Sequence, residues 1–334
     1  MNKDNLTYYD IYGFILAVDP GMKKAFDLEY WRFNVKGNSE ADLYILKTDK
    51  KNLPIKLRLA EKGISIPFDF SENKENVVWY EPGVPGDWVL YTIEPLINWK
   101  DKCFLHCGAV EKDGKAIIFP AEGGVGKTTM AIYLVSRGYN YLSDDWLVAG
   151  KDGKAYPFYK TIHVFDYNLK KDRPMAKRVL GWKRFGVFVR IRLLELFQKL
   201  VPHRFVRIFV ERFMPIFSID IEKLHPNAKI GSVTPIDKVY WLKKDYTISK
   251  PYLKAVGSKE VADKLAHMTA LETHHFYKNY LEWVYTNSEQ KSIQNKIEKD
   301  KKILEGAFSK AENYELFVPD KINPKEVAKL LSLD

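Results

Sequence analysis

Cysteine is nearly missing from this chain: Cys103 and Cys107 are the only two in 334 residues. That excludes a disulfide framework and makes the reducing cytosol the expected home. No uninterrupted apolar run reaches the roughly eighteen residues that a membrane-crossing helix needs. The opening stretch, M-N-K-D-N-L-T-Y-Y-D, carries acids and lacks a charged-then-apolar pattern, so no export signal is expected. Internal repeats and low-complexity tracts are also missing. What is present is 46% hydrophobic and 14% aromatic. Such a chain is too apolar for disorder and long enough for two modest domains, or one with an insertion.

The net charge of +10 is concentrated in one segment. From Lys170 to Arg212 there are thirteen lysines and arginines, opposed only by Asp172, Glu195 and Glu211. The remainder of the chain is neutral, so the basicity needs a local explanation.

The most informative stretch is Phe119 to Thr129, F-P-A-E-G-G-V-G-K-T-T, followed after Lys127 by the pair Asp144-Asp145. A glycine-rich turn lets successive backbone N–H groups face phosphate oxygens. Gly123, Gly124, Val125 and Gly126 would form that cradle, with Lys127 as a point charge on the β- and γ-phosphates. Thr128 would ligate Mg²⁺ and Thr129 would follow it at the helix start, where the dipole favours an anion. Ala121 stands where the usual motif has its first glycine, a small unbranched replacement. The context fits: Lys115 to Phe119 reads as a buried strand after an Asp113-Gly114 turn. Thr129 to Arg137 has helical apolar spacing and stops at Gly138. Tyr141 to Ser143 suits a strand neighbouring the loop's own strand, carrying Asp144 and Asp145 at its carboxyl end, where open α/β sheets bind ligands. Two adjacent carboxylates there are unfavourable unless a cation sits between them.

Along the chain, residues 1–100 read as a β-rich, antiparallel domain without visible chemistry. Its expected strands are Asp42–Lys47, Ile55–Leu59, Ile64–Pro67, Asn76–Tyr80 and Trp88–Ile93. Residues 101–334 read as the nucleotide-binding domain, opening on a hairpin of Phe104–Val110 and Lys115–Phe119. A mostly helical basic insertion is expected at about 170–228. Pro157–Phe165 reads as strand or loop and Thr234–Leu242 as strand. Ser258–Asn287 reads as a helix with Leu265, Met268, Leu271, Phe276, Tyr280 and Trp283 at its apolar positions. Glu289–Glu305 reads as a charged, exposed helix, Tyr314–Val318 as a last strand and Lys325–Leu331 as a last helix capped by Asn323.

The block Leu105-His106-Cys107-Gly108-Ala109-Val110, the Asp-Gly turn, the phosphate loop, Arg137-Gly138 and Leu142-Ser143-Asp144-Asp145 resembles the catalytic domain of HPr kinase/phosphorylase. The later T-P-I-D-K-V-Y-W-L and E-L-F-V-P-D…E-V-A-K-L-L are similar to the end of such domains. The core is also similar to that of phosphoenolpyruvate carboxykinase. The resemblance covers about residues 104–148, with a second stretch over 234–331. It implies an α/β P-loop fold and transfer of the γ-phosphoryl group of ATP, with Mg²⁺, to a hydroxyl. Asp144 and Asp145 would divide metal holding and proton acceptance between them. Lys127 would stabilise charge, and His106 would lie across from the loop near the transferred phosphate or the metal. Thr129 replaces the acidic residue those kinases carry after the loop, and their later glycine-rich signature is not found. The acceptor therefore stays open between a small-molecule, glycan or lipid-linked hydroxyl and a serine of a protein or modified peptide. A module that holds ATP without transferring it is the non-enzyme alternative.

Other clusters carry less. Strand alternation puts Cys103 and Cys107 on one face and His106 on the other, which suits core thiols rather than a zinc site. His274-His275 reads as surface or packing. In the basic segment, Val187–Leu200 and Phe205–Phe213 interleave arginines with apolar and aromatic residues, beside Trp182, Phe185 and Phe188. An amphipathic helix pair of this kind suits an anionic membrane surface over about 170–215. A lid over an anionic acceptor, with Arg173 or Lys177 clamping phosphate, and a homo-oligomer interface are the other readings. Nucleic acid ranks last, because the segment is too apolar and has no recognition motif.

Overall fold

Two mixed sheets carry the architecture. The structure is a computed structural model and describes residues 5–36, 40–47, 64–65, 70, 75–80, 90–164, 173–201, 210, 217–274, 278 and 295–333. It divides into two compact units, Met1–Lys160 with Ile230–Asp334, and Thr161–Lys229.

The first unit begins with strands β1 (Thr7–Ile11), β2 (Phe14–Val18), β3 (Asn34–Val35), β4 (Leu43–Lys47), β5 (Ile64–Ser65) and β6 (Val77–Tyr80), with helix α1 (Lys23–Tyr30) between β2 and β3. They form a six-stranded sheet in the order β3-β1-β2-β4-β6-β5. This sheet is mixed, not antiparallel as expected: β4 pairs parallel with both β2 and β6. Parallel neighbours need a crossover, and α1 lies in the connection between β2 and β4. The stretch expected as strand Trp88–Ile93 is helix α2 (Leu90–Leu96) over its described part. Leu90, Ile93, Leu96 and Ile97 recur at helical spacing and all are buried, so the longer period wins. The expected strand Ile55–Leu59 lies outside the described residues.

The main sheet follows. β7 (Lys102–Lys112) and β8 (Lys115–Pro120) form a hairpin closed by Asp113-Gly114, both in the left-handed region. Helix α3 (Lys127–Ser136) comes next, then β9 (Asn140–Ser143), β10 (Trp146–Gly150) and β11 (Lys154–Tyr156). After the second unit the chain returns to this sheet.

The second unit holds β12 (Ile162–Val164), helices α4 (Arg173–Leu180), α5 (Arg184–Leu200) and α6 (Ile221–Leu224), and β13 (Phe217–Ile219), with β13 preceding α6. Strands β12 and β13 pair antiparallel. Residues 202–209 and 211–216, which include most of the expected Phe205–Phe213 helix, lie outside the described residues.

The first unit resumes with β14 (Thr234–Lys244), β15 (Tyr252–Ala255), α7 (Ser258–Glu272), α8 (Lys296–Phe308), β16 (Glu312–Val318) and α9 (Pro324–Leu330). The main sheet runs β11-β10-β7-β8-β14-β16-β15, with β9 also on β7. β14 is parallel to both β8 and β16, so the loop strand β8 is an interior strand. Alternation along β7 splits its side chains between two cores. Phe104 joins the residues of the N-terminal sheet with Trp146 and Phe158. Cys103, Leu105 and Cys107 join α7 and α8 residues such as Leu265, Ala266 and Leu304. Asn323 caps α9 by accepting from the Lys325 N–H, as expected.

Two helices differ from expectation. On α7, Leu265 and Met268 are buried but Leu271 is 60% exposed. The inner face passes through Val261, Leu265 and Met268 to Glu272 and misses Leu271. Phe276, Tyr280 and Trp283 lie outside the described residues. The helix expected to be charged and exposed is half-buried in α8: Lys296 and Asp300 are both enclosed. Lys296 bridges Glu94 of α2 and Asp300, and Asn98 donates to Asp300 at 2.8 Å, so the charges are paired inside the unit.

Candidate active site

The site is built where β8 passes into α3. Ala121, in the place of the usual first glycine, is fully buried, which explains why only a small residue stands there. Gly126 precedes the helix with φ of 125°, and a side chain there would meet Ile322 Cδ1 at 2.9 Å. The backbone conformation requires glycine, and Ile322 would have to shift for any side chain. Gly108 of β7 lies directly under the helix start: a Cβ on it would sit 2.8 Å from the Lys127 carbonyl oxygen. The loop is therefore pressed against β7, beside His106. Val125 is buried, whereas Gly123, Gly124 and Thr129 are exposed.

Lys127 is only 6% exposed, and its ammonium donates to the Glu122 carbonyl at 3.1 Å. Burial pushes its pKa down, opposed by the charges of Asp145 and Glu272. The Thr128 hydroxyl donates to the Asp144 carbonyl at 3.4 Å, which joins the helix start to the acidic pair.

The strand expected to deliver Asp144 and Asp145 is β9, but its partner is β7, not the loop strand β8. β10 also pairs with β7, setting Trp146 opposite His106. The long β7 thus holds β8 along one edge and β9 and β10 in line along the other. Asp144 and Asp145 fill the break between those two strands, and the Cys107 N–H donates to the Asp145 carbonyl at 2.9 Å. Position within the sheet, rather than adjacency to β8, brings the acids to the loop.

The two acids have different environments. Asp144 is 6% exposed and accepts from the Tyr141 hydroxyl at 2.8 Å. Burial, then the neighbouring Asp145 charge, raises its pKa to about 7. Asp145 has a side chain 40% accessible. Loss of surrounding water would raise its pKa, but the hydrogen bond and charge of His106, with Lys160 and Lys127, outweigh that and hold it at about 2.

His106 is buried and stacks on Trp146, ring centroids 5.1 Å apart. Its Nε2 lies 3.0 Å from Asp145 Oδ1, and its Nδ1 lies 3.0 Å from Glu272 Oε1. Burial alone would lower its pKa, but the two carboxylates together raise it. The Glu272 pKa is in turn lowered, first by His106 and last by the Gly123 backbone N–H. One carboxylate therefore contacts the histidine and is influenced electrostatically by the glycine loop and Lys127.

The structure thus gathers Lys127, Thr128, Asp144, Asp145 and His106 at one place, and adds two residues that sequence reasoning missed. Glu272 ends α7 on its inner face, and a glutamate at a core-facing position was the available signal. Lys160, its side chain 7% exposed, acts electrostatically on both acids and has no sequence signal. Arg173's side chain lies outside the described residues, and Lys177 is an exposed residue of the second unit. Cys103 and Cys107 are both buried free thiols. His274 is exposed, with Nδ1 3.0 Å from the Leu271 carbonyl oxygen, while His275 lies outside the described residues. Among the described residues no cluster of three or more His, Cys, Asp or Glu is arranged to hold a metal ion.

No family model and no curated protein matches the chain. Among solved structures, it is similar to the HPr(Ser) kinase/phosphatase from Coxiella burnetii, at 12% identity and a TM-score of 0.26, over 46% of this chain and 76% of that one. At that likeness the comparison decides neither fold nor activity, and the functional reading rests on the geometry of the site. Among the described residues no helix is long and apolar enough to cross a membrane.

Proposed function

We propose that this protein is a P-loop phosphotransferase that moves the γ-phosphoryl group of ATP, with Mg²⁺, to the hydroxyl of a small-molecule, glycan or lipid-linked acceptor. The observation that carries the reading is the meeting of three features at one loop: a glycine cradle opening α3, the buried Lys127, and a split pair of carboxylates with opposite pKa displacements.

The loop amides and Lys127 bind the phosphates, and α3 directs its N-terminus at them. Lys127 is partly desolvated, so its charge acts more strongly on an anion than it would in water. Thr128 and Asp144 are the residues that would hold Mg²⁺. Asp144 fits that role because its ionised form is penalised by burial and a like charge, and a cation relieves both. Magnesium usually takes one or two protein oxygens, leaving the rest to phosphate and water, so a three-residue cage is not needed. When bound, Mg²⁺ supplies charge neutralisation on the phosphate oxygens.

Asp145 is accessible and stays ionised, so it positions the acceptor hydroxyl and accepts its proton. Its low basicity is tolerable because phosphoryl transfer asks mainly for alignment and charge stabilisation. His106, held between Asp145 and Glu272, fixes the Asp145 carboxylate and adds positive charge beside the loop.

Calorimetry with Mg²⁺-ATP, paired with an assay of ADP formation, tests the reading. Wild type should bind and turn over nucleotide, and Lys127→Ala should turn it over about 10²–10³-fold more slowly. Equal behaviour of the two proteins would reject it.

A further inference from the structure

A second surface lies within the unit Thr161–Lys229. Helix α5 exposes Phe185, Val189, Leu193, Leu196 and Leu200, and Trp182 precedes it in the short turn Gly181–Lys183. Trp182 is 87% exposed, Phe185 78% and Leu200 71%, and their contiguity sets them apart from scattered surface apolar residues. The intervals between the six positions are three or four residues, so they form one stripe along the helix. Ile191, on the opposite side, is fully buried, so α5 buries one face and leaves the apolar stripe outward.

The rim of that stripe is basic. Arg192 and Lys199 lie along one edge of it, and Lys183 and Arg184 stand at its start, all exposed. Between Lys177 and Leu200 the chain has seven lysines and arginines and one acid, Glu195.

We infer that α5 with Trp182 is an interfacial element that lies flat on an anionic membrane surface. The stripe would enter the boundary between headgroups and acyl chains, and the flanking cations would meet lipid phosphates and carboxylates. Charge selects this occupant over others. A second copy of the chain would bring the same cationic rim and be repelled. A polyanion such as nucleic acid would match the rim but leave the apolar stripe in water. The helix is too short and too charged to cross a bilayer, so lying in the plane is the arrangement its chemistry permits.

The test is co-sedimentation of the full-length chain with vesicles of phosphatidylcholine alone or with about a third phosphatidylserine. Binding to the anionic vesicles should be at least about tenfold tighter, and raising salt from roughly 0.05 to 0.5 M should release most of it. Leu193→Glu with Leu196→Glu removes the stripe, and Arg192→Glu with Lys199→Glu reverses the rim. Each pair should weaken binding by about tenfold or more while circular dichroism and Mg²⁺-ATP affinity stay unchanged. Equally weak binding to both vesicle types would overturn the inference. So would pelleting that neither pair alters. A dimer in sedimentation that the Leu193/Leu196 pair dissociates would also overturn it and assign the face to self-association.

Discussion

His106 and Glu272 meet at 3.0 Å, Nδ1 to Oε1, while Asp145 stands equally close to the other ring nitrogen. Nδ1 makes no well-aligned hydrogen bond, so the Glu272 contact acts through charge. With a carboxylate at each nitrogen, the ring keeps its proton to higher pH than an ordinary histidine despite its burial. Glu272→Gln should therefore move the His106 midpoint to lower pH, followed by proton–nitrogen NMR of the ring. An unmoved midpoint would show that Glu272 does not set the charge of the ring.

Lys127→Ala should slow phosphoryl transfer by about 10²–10³-fold, the scale for losing one preorganised charge-stabilising group, roughly 3–4 kcal/mol of barrier. Because burial disfavours the ammonium, the alanine variant should melt no lower than wild type. Turnover at the wild-type rate would remove the phosphate loop from the mechanism.

The acids should separate. Asp144→Asn should weaken Mg²⁺-nucleotide binding and rate together, whereas Asp145→Asn should lower the rate with nucleotide affinity nearly kept. Titration calorimetry on both variants distinguishes them. Identical losses in both would contradict the division of roles.

Asp144 also links function to stability. Its folded-state pKa of about 7 lies above the ordinary carboxylate value, so its favourable contribution is complete below about pH 4 and fades as pH rises through 7. Above that, the buried charge costs on the order of a few kcal/mol, because each pKa unit is worth about 1.4 kcal/mol. Asp144→Asn should raise the melting temperature at pH 8 and leave it unchanged near pH 4. The same titration makes wild-type Mg²⁺-ATP affinity fall below about pH 7, and Asp144→Asn should flatten that dependence. A variant that is less stable at pH 8 would refute the assignment.

The buried trio Glu94, Lys296 and Asp300 makes a separate prediction about the first unit. Burial raises the Glu94 pKa, and the Lys296 charge opposes that rise. Lys296→Met leaves two buried carboxylates without a cation and should cost about 3–5 kcal/mol in urea unfolding near neutral pH. The loss should shrink in acid, where Glu94 is protonated. A cost below about 0.5 kcal/mol would mean that the trio is not structural.

How much of this was legible depends on whether the chemistry was local. The glycine turn into α3 could be read because glycine at Gly126 is demanded by backbone conformation, and Asp113-Gly114 by a two-residue turn. The acidic pair was legible as two like charges at a strand end. Its partner strand was not, since nothing in Tyr141–Ser143 says whether β7 or β8 lies alongside. Helix α2 was misread because the window Trp88–Ile93 stops before Leu96 and Ile97 complete the helical period. Glu272 belongs to a helix far along the chain, and only its place on the inner face of α7 marks it. Lys160 sits in irregular chain after β11, where no pattern constrains a side chain.

The central claim is tested most directly by γ-labelled ATP offered with Mg²⁺ to cell extract separated into lipid, small-molecule and macromolecular fractions. Wild type should move label onto an alkali-sensitive or phosphatase-sensitive hydroxyl ester in one fraction and release ADP in equal amount. Asp145→Asn, which still binds ATP, should move almost none. Wild type that binds ATP yet leaves every fraction unlabelled, with no ADP formed, would contradict phosphoryl transfer and make the protein a nucleotide-holding module.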